Sequence, residues 1–462
     1  MQHSIEHDHE IHNDNEVHKI MTEYSYGCVV DAGSSGSRIF LYEWPKHGDG
    51  RTEEVFYEEI TPGISDLEHG LPALQQLVTL AKNALPQYQI NARDVPIYLG
   101  ATAGLRLLEP VQSEITMMQI KDLLHKSDFM FQNNWARIIS GEEEGVYDWL
   151  TINYLKNGGV LPDRSSPTFG ALDLGGASTQ ISFSSRGRRL LRSKEAFPLR
   201  IDHSNYLLYS HSFLRYGVDE ARSKHSRHIA ASKSNSKNPC YPVGYVDEGT
   251  NLSGSSNWEE CLSSVSQLFD PANCLEYGEP CFDSKSLTQL ATHEEKFVAT
   301  SAFVFAWDFL QLKIGTNTDD LATLNKQAQK ICNLEFSQQV RNYRQYKRRR
   351  NGSSVRTTNK PYAQCFNAAY IYHLLSKGYS MPILNTPIEV DDIKSWTLGM
   401  MLVEANNLSK DTSNGELYIK LLHSLEYFVA ASTLVLVLLT SLVWRRRRRK
   451  CCLPPVTKDQ AL

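Results

Sequence analysis

From Tyr26 onward, short apolar runs alternate with turns built of small polar residues. Cys28-Val29-Val30 is an apolar run that stops at Asp31-Ala32-Gly33-Ser34-Ser35-Gly36-Ser37, and Ile39-Phe40-Leu41-Tyr42 resumes it. That pattern predicts strand, tight turn, strand. It returns at Ala171-Leu172-Asp173-Leu174-Gly175-Gly176-Ala177-Ser178-Thr179-Gln180-Ile181. A shift of 142 residues superposes Asp31 on Asp173, Gly33 on Gly175, Ser37 on Thr179 and Ile39 on Ile181. An internal duplication explains this economically. Between the copies, Leu71–Leu85 has helical spacing, Pro96–Leu99 reads as a strand and Val111–Leu124 as a helix, so the class is α/β. Segment 157–168 reads as a linker-like loop, and helical patterns return at Glu294–Leu312 and Ala363–Leu375. The basic run Arg341–Asn351 reads as a solvated loop.

The ends of the chain read differently. Residues 1–23 are polar, carry five histidines (His3, His7, His9, His12 and His18) and hold no apolar run, which predicts a disordered tail and no signal peptide. Near the other end, Tyr427–Trp444 gives 18 uncharged residues followed by Arg445–Lys450. This pattern predicts one membrane-spanning helix with interfacial aromatic anchors. The basic tail 445–462 is then cytosolic and the main body lumenal or extracellular. Either this span alone inserts and draws the body across, or an upstream anchor precedes the sequence. Cys451 and Cys452 lie where juxtamembrane palmitoylation occurs.

The net charge of −4 over 462 residues includes that basic run, so the rest is acidic and charge lends no support to a nucleic-acid partner. Sequons at Asn251, Asn351 and Asn407 agree with a lumenal body. Cysteine placement agrees too. Cys28 stands apart, whereas Cys240, Cys261, Cys274, Cys281, Cys332 and Cys365 form an even set in one half of the body. We expect nested bridges Cys240–Cys281 and Cys261–Cys274, together with Cys332–Cys365. Zinc is the competing use, but no CxxC pair occurs outside the tail.

A strand that ends in Asp-x-Gly presents a carboxylate beside a nest of backbone amides. Glycine permits φ > 0, so that successive N–H groups converge on phosphate oxygens, and Ser34, Ser35 and Ser37 add hydroxyls. Two such loops suit two adjacent phosphates, one at residues 33–37 and the next at 175–178, with a divalent cation bridging Asp31 and Asp173. Ser140-Gly141-Glu142-Glu143-Glu144-Gly145-Val146-Tyr147 adds three carboxylates at a helix start, where the helix dipole alone favours acidic residues. Gly100-Ala101-Thr102-Ala103-Gly104-Leu105-Arg106 ends a strand in another small-residue turn.

Together with Ser395-Trp396-Thr397-Leu398-Gly399, these segments closely resemble, in order and spacing, the five conserved regions of the apyrase, or nucleoside triphosphate diphosphohydrolase, family. The resemblance runs from Tyr26 to about Asn407. It implies a two-lobed fold like actin, sugar kinases and heat-shock ATPases, of ribonuclease-H type, with nucleotide held between the lobes. Lobe I would comprise 24–140 with 388–425, and lobe II 141–387. By the same resemblance Glu144 is the general base, and Ser178 and Gln180 position the attacking water. Glu142 and Glu143 then have no catalytic part. Gly33, Ser34, Ser35, Gly36, Ser37, Thr102, Ala103, Gly175, Gly176 and Ala177 hold phosphates. Asp31 and Asp173 organise Ca²⁺ or Mg²⁺ through its waters, with Trp396 nearby. Members of the family sandwich the base between aromatics; Phe305 and Tyr379 are candidates, each in an apolar segment where a core role competes. The implied activity is metal-dependent hydrolysis of nucleoside tri- and diphosphates (ATP, ADP, UDP, GDP). Gly36-Ser37 stands where many cell-surface members carry His-Thr, which resembles the Golgi branch, whereas Leu99–Gly104 and the C-terminal span resemble the cell-surface branch. A lumenal UDP/GDP diphosphatase and a non-hydrolytic nucleotide-binding membrane protein are the alternatives.

Overall fold

In the computed structural model, the described residues are 24–411 apart from 47–49, 164–165, 185–195, 202–203, 233–236, 271–281, 283–295, 350–357 and 359. The chain divides into Met1–Thr412 and Ser413–Leu462. The second unit, with the apolar run 427–444 and both tail cysteines, lies outside the described residues, as does the polar segment 1–23. No helix among the described residues is long and apolar enough to cross a membrane.

Two sheets carry the first unit. In one, β1 (Tyr24–Ala32), β2 (Ser37–Pro45), β3 (Glu53–Ile60), β4 (Ile97–Ala101) and β5 (Ala136–Ile138) lie in the order β3-β2-β1-β4-β5. In the other, β6 (Gly170–Leu174), β7 (Ser178–Ser184), β8 (Ala196–Ile201) and β9 (Ser204–Leu214) join the later strands Phe297–Ser301 and Ile388–Val390. The order there is 388–390, 297–301, β6, β7, β9, β8. Each sheet has an antiparallel hairpin at its centre flanked by parallel strands on one side. Asp31 faces Arg38 across one hairpin and Asp173 faces Gln180 across the other, so the 142-residue repeat holds in hydrogen-bond register as well as in sequence. This is the two-lobed α/β architecture with an internal duplication.

Burial follows the pattern of apolar positions. Val30, Ile39, Leu41 and Leu99 pack with Leu74, Leu77 and Ile120 from helices Gly70–Ala84 and Pro110–His125, the two predicted at 71–85 and 111–124. A separate core around the second sheet gathers Leu172, Ile181, Phe303, Trp307, Phe366 and Tyr370, all under 3% exposed. Helix Gly141–Lys156 is buried almost all round, because it packs on the second sheet and against helix Thr397–Asp411. Where those helices cross, a Cβ on Gly399 would stand 2.0 Å from the Tyr147 carbonyl oxygen. Both partners there are backbone, so no rotamer change relieves the clash. We expect Gly399→Ala to destabilise the protein by about 3 kcal/mol, read as a lower urea midpoint of the full chain, and an unchanged midpoint would show that the crossing can yield.

Four expectations are corrected. Glu294–Leu312 is not one helix: Phe297–Ser301 is a strand and helix Ala302–Phe309 follows, because a short apolar run buried in the sheet cannot be told from a helix by spacing alone. The basic run is not a loop as far as Arg349, where helix Phe336–Arg349 ends; its Tyr343 hydroxyl and Lys347 ammonium meet the fully buried Asp308 at 2.7 and 3.1 Å. Strand 388–390 pairs with 297–299 in the second sheet, so the expected change of lobe at 387/388 falls after Val390. The nested disulfides are also wrong. Cys240 is bonded to Cys261, while Cys332–Cys365 is as expected and Cys28 is a buried free thiol. Helix Trp258–Ser266, held at its start by the Asn257 side chain, turns Cys261 inward to Cys240, a contact that spacing does not encode. Cys274 and Cys281 lie outside the described residues.

Candidate active site in the cleft between the two sheets

The two Asp-x-Gly turns face one another across a cavity of about 450 Å³. Gly33, Ser34 and Ser35 line it from the first hairpin and Gly175, Gly176, Ala177 and Ser178 from the second. Each turn is closed by its own backbone: Gly33 N–H donates to the Gly36 carbonyl, and Gly175 N–H to that of Ser178. The glycines are needed for a different reason than the one expected. None of Gly33, Gly36, Gly175 and Gly176 has a φ in the left-handed region. At Gly176 the reason is close approach, since a Cβ there would stand 2.9 Å from Ser34 Oγ of the opposite loop.

Asp31 and Asp173 end the central strands and both line the cavity. Asp31 Oδ2 accepts from Arg38 and from Ser395 Oγ, each at 3.2 Å, and Arg38 is shared with Glu59 at 2.8 Å. Thr300 Oγ1 lies 3.5 Å from Asp173 Oδ1. Thr102, Ala103 and Trp396 complete the predicted lining. Gly36 and Ser37 do not: Gly36 closes the turn, and Ser37 is fully buried where it begins β2.

Helix Gly141–Lys156 delivers the third group. Its N-cap Ser140 and Glu143 form a reciprocal capping box, and Arg137 pairs with Glu143 at 2.8 Å, so Glu143 is a structural residue, as expected. Glu144 instead points inward. Its Oε2 accepts from Arg106 at 2.8 Å and from Gln180 Nε2 at 3.0 Å. The same two donors reach Ser178 Oγ, at 3.2 and 2.8 Å. Gln180 thus lies behind the cavity wall and connects the two groups that line it. The helix can come this near because Gly145 has no side chain; a Cβ there would meet Ser182 Oγ at 2.4 Å.

Electrostatics sharpen the picture. Burial pushes the Glu144 carboxyl up to about 8 against the pull of Arg106, with Asp173 and Asp31 adding to the push. Burial also raises Asp31, opposed by Arg38 and reinforced by Asp173. Asp148 is raised well above the usual carboxylate range by burial and by the charges of Asp173 and Glu144. A cavity lined by carboxylate oxygens that repel one another suits a hard divalent cation. Among the described residues no three His, Cys, Asp or Glu side chains form a ready-made metal-binding group.

The base candidates separate. Phe305, on helix Ala302–Phe309, lines the cavity, as do Lys360, Gln364 and Asn367. Tyr379 does not reach it: its ring packs on Phe213 and Phe282, and its hydroxyl bonds Thr179 Oγ1 at 3.0 Å, all within the core. Sequence reasoning passed over Arg106, Arg38 and Asp148. Arg106 ends a motif it quoted, and Asp148 stands one helical turn beyond Glu144, a spacing that marks a shared face.

Comparison with known proteins agrees with this geometry. Residues 17–417 match the GDA1/CD39 (nucleoside phosphatase) family. The chain is similar to ectonucleoside triphosphate diphosphohydrolase 2 of Homo sapiens, 31% identical over 434 residues, covering 84% of this chain and 83% of that one. It is likewise similar to ectonucleoside triphosphate diphosphohydrolase 1 of Rattus norvegicus, 30% identical over 432 residues, covering 82% and 80% respectively. Among solved structures, a nucleoside triphosphate hydrolase from Neospora caninum shares the fold with a TM-score of 0.60 at 15% identity, covering 87% of this chain and 97% of that one.

Proposed function

Because the chain belongs to the GDA1/CD39 family of nucleoside phosphatases, we propose that it hydrolyses the terminal phosphoanhydride of nucleoside tri- and diphosphates by direct attack of water. The observation that carries this reading is the convergence on one cavity of two phosphate-sized loops and a buried carboxylate linked to Ser178 and Gln180. Glu144 is the base: its carboxylate lines the cleft and takes the proton of the attacking water. Ser178 Oγ holds that water on the Glu144 side, Gln180 positions Ser178 and Glu144 from behind, and Arg106 fixes both acceptors in place. The amides and hydroxyls of residues 33–35 and 175–178, with Thr102 and Ala103, receive the phosphate oxygens. Asp31 and Asp173, with Trp396 beside them, would hold the waters of Ca²⁺ or Mg²⁺. When bound, that ion neutralises phosphate charge. Phe305 offers a face for the base.

An extracellular or lumenal site is part of the proposal. It is supported by the bonded pairs Cys240–Cys261 and Cys332–Cys365 and by the apolar run 427–444 before a basic tail. A Golgi-type UDP/GDP diphosphatase is the second reading, favoured by Gly36-Ser37. The test is phosphate release by the purified full chain in detergent, with ATP, ADP, UDP and GDP, under Ca²⁺ and then chelator. Metal-dependent release from ATP and ADP is expected. Release confined to UDP and GDP would favour the second reading, and none from any nucleotide, despite binding, would overturn both.

A further inference from the structure

One helical turn beyond Glu144 stands a carboxylate that the proposed reaction leaves unused. Asp148 is 3% exposed and lines the cleft cavity, yet its Oδ2 has no hydrogen-bond partner among the described residues. Its strongest electrostatic neighbours are Asp173 and Glu144, both of its own sign. The cationic groups of the cleft are engaged elsewhere: Arg106 pairs with Glu144, Arg38 with Asp31 and Glu59, Arg222 and Lys360 with Asp219, and Lys394 with Glu54. A buried carboxylate without a hydrogen bond or counter-charge is strongly disfavoured, so folded chains retain one where positive charge comes from outside. The remaining source is the cavity whose wall Asp148 forms.

We propose that Asp148 is a third carboxylate for the divalent cation of this cleft, acting with Asp31 and Asp173, so that the ion meets more negative charge than the paired Asp-x-Gly loops supply. The inference rests on the metal-dependent reading above. Asp148 would act on the hydrated ion through its charge, from the wall it shares with Glu144 and Asp173. Positive charge at this wall of the cavity offsets the mutual repulsion of the buried carboxylates.

The test is calorimetric titration of the full chain in detergent with Ca²⁺ alone and with Mg²⁺ alone. Wild type, Asp148→Asn, Asp148→Ser and Asp173→Asn would be compared, each with its metal-free unfolding midpoint. Asp148→Asn keeps the shape and removes the charge, and the serine variant serves if the asparagine does not fold. Metal Kd about 10-fold higher than wild type in the Asp148 variants is expected, with the metal-free midpoint unchanged or raised. An Asp148 variant that folds and binds metal within about twofold of wild type, while Asp173→Asn is weakened, would overturn the role of Asp148 and leave the metal-dependent reading standing. A wild-type chain that binds neither ion would overturn that reading and this inference together.

Discussion

A Glu144→Gln chain should release phosphate about 10³-fold more slowly than wild type while keeping its fold and its nucleotide affinity. Glutamine has the same shape, and its amide oxygen can still accept from Arg106 and Gln180, which hold Glu144 Oε2 at 2.8 and 3.0 Å. What it loses is the ability to take a proton. Stopped-flow phosphate release at saturating ATP separates the chemical step from binding, and wild-type turnover in this variant would end the assignment of Glu144 as base. The pH profile carries a second check. Burial pushes this carboxyl up to about 8 in the metal-free protein, and only its ionised form is a base, so the rate should rise with pH through its pKa. Arg106 opposes that push, so Arg106→Met should move the limb to higher pH. Stability responds in the opposite sense. Between 4.5 and about 8 the folded carboxyl holds a proton that the unfolded chain has released. Its stabilising contribution is therefore complete below 4.5 and is lost as pH rises through about 8. In the glutamine variant that component of the slope should vanish.

Replacing both strand-end carboxylates, Asp31→Asn with Asp173→Asn, should lower metal-dependent phosphate release by about 10³-fold, and chelation should do the same to wild type. Each single variant should instead need about 10- to 100-fold more Ca²⁺ or Mg²⁺ for half-maximal activity, since the partner carboxylate remains. Asp31→Asn keeps an oxygen acceptor for Ser395 at 3.2 Å and removes the charge that Arg38 meets, so its deficit should be recoverable at high metal concentration. Full activity of wild type under chelator would remove the cation from the mechanism. Metal dependence unaltered by both substitutions would place it elsewhere in the cleft.

Much of this site was legible in the chain because it is local. Asp31 and Asp173 each precede a glycine turn within a few residues, and the identity of the two turns follows from comparing them. The acidic start of helix Gly141–Lys156 was legible for the same reason, since the dipole favours Glu142, Glu143 and Glu144 in the first turn. Tyr379 shows where local reading fails. Its neighbourhood is apolar whether it faces nucleotide or core, and only the packing of Phe213, Phe282 and Thr179 around it decides for the core. Gly36 and Ser37 show a subtler failure, because sharing a motif with Ser34 and Ser35 does not place them on the same side of the turn.

The sequence by itself determined the α/β class, the repeated hairpin and the residues at its turns. Strand, turn and cap preferences act over a few positions, and a repeat needs only self-comparison. Tertiary structure alone decided that Arg106 joins Glu144 to Ser178, that Cys240 meets Cys261, and that Asp148 lines the cleft with its buried Oδ2 unpartnered among the described residues. Each of those depends on how segments distant in the chain pack against one another. Such packing is settled by the shape and burial of the whole core, and no spacing along the chain records it.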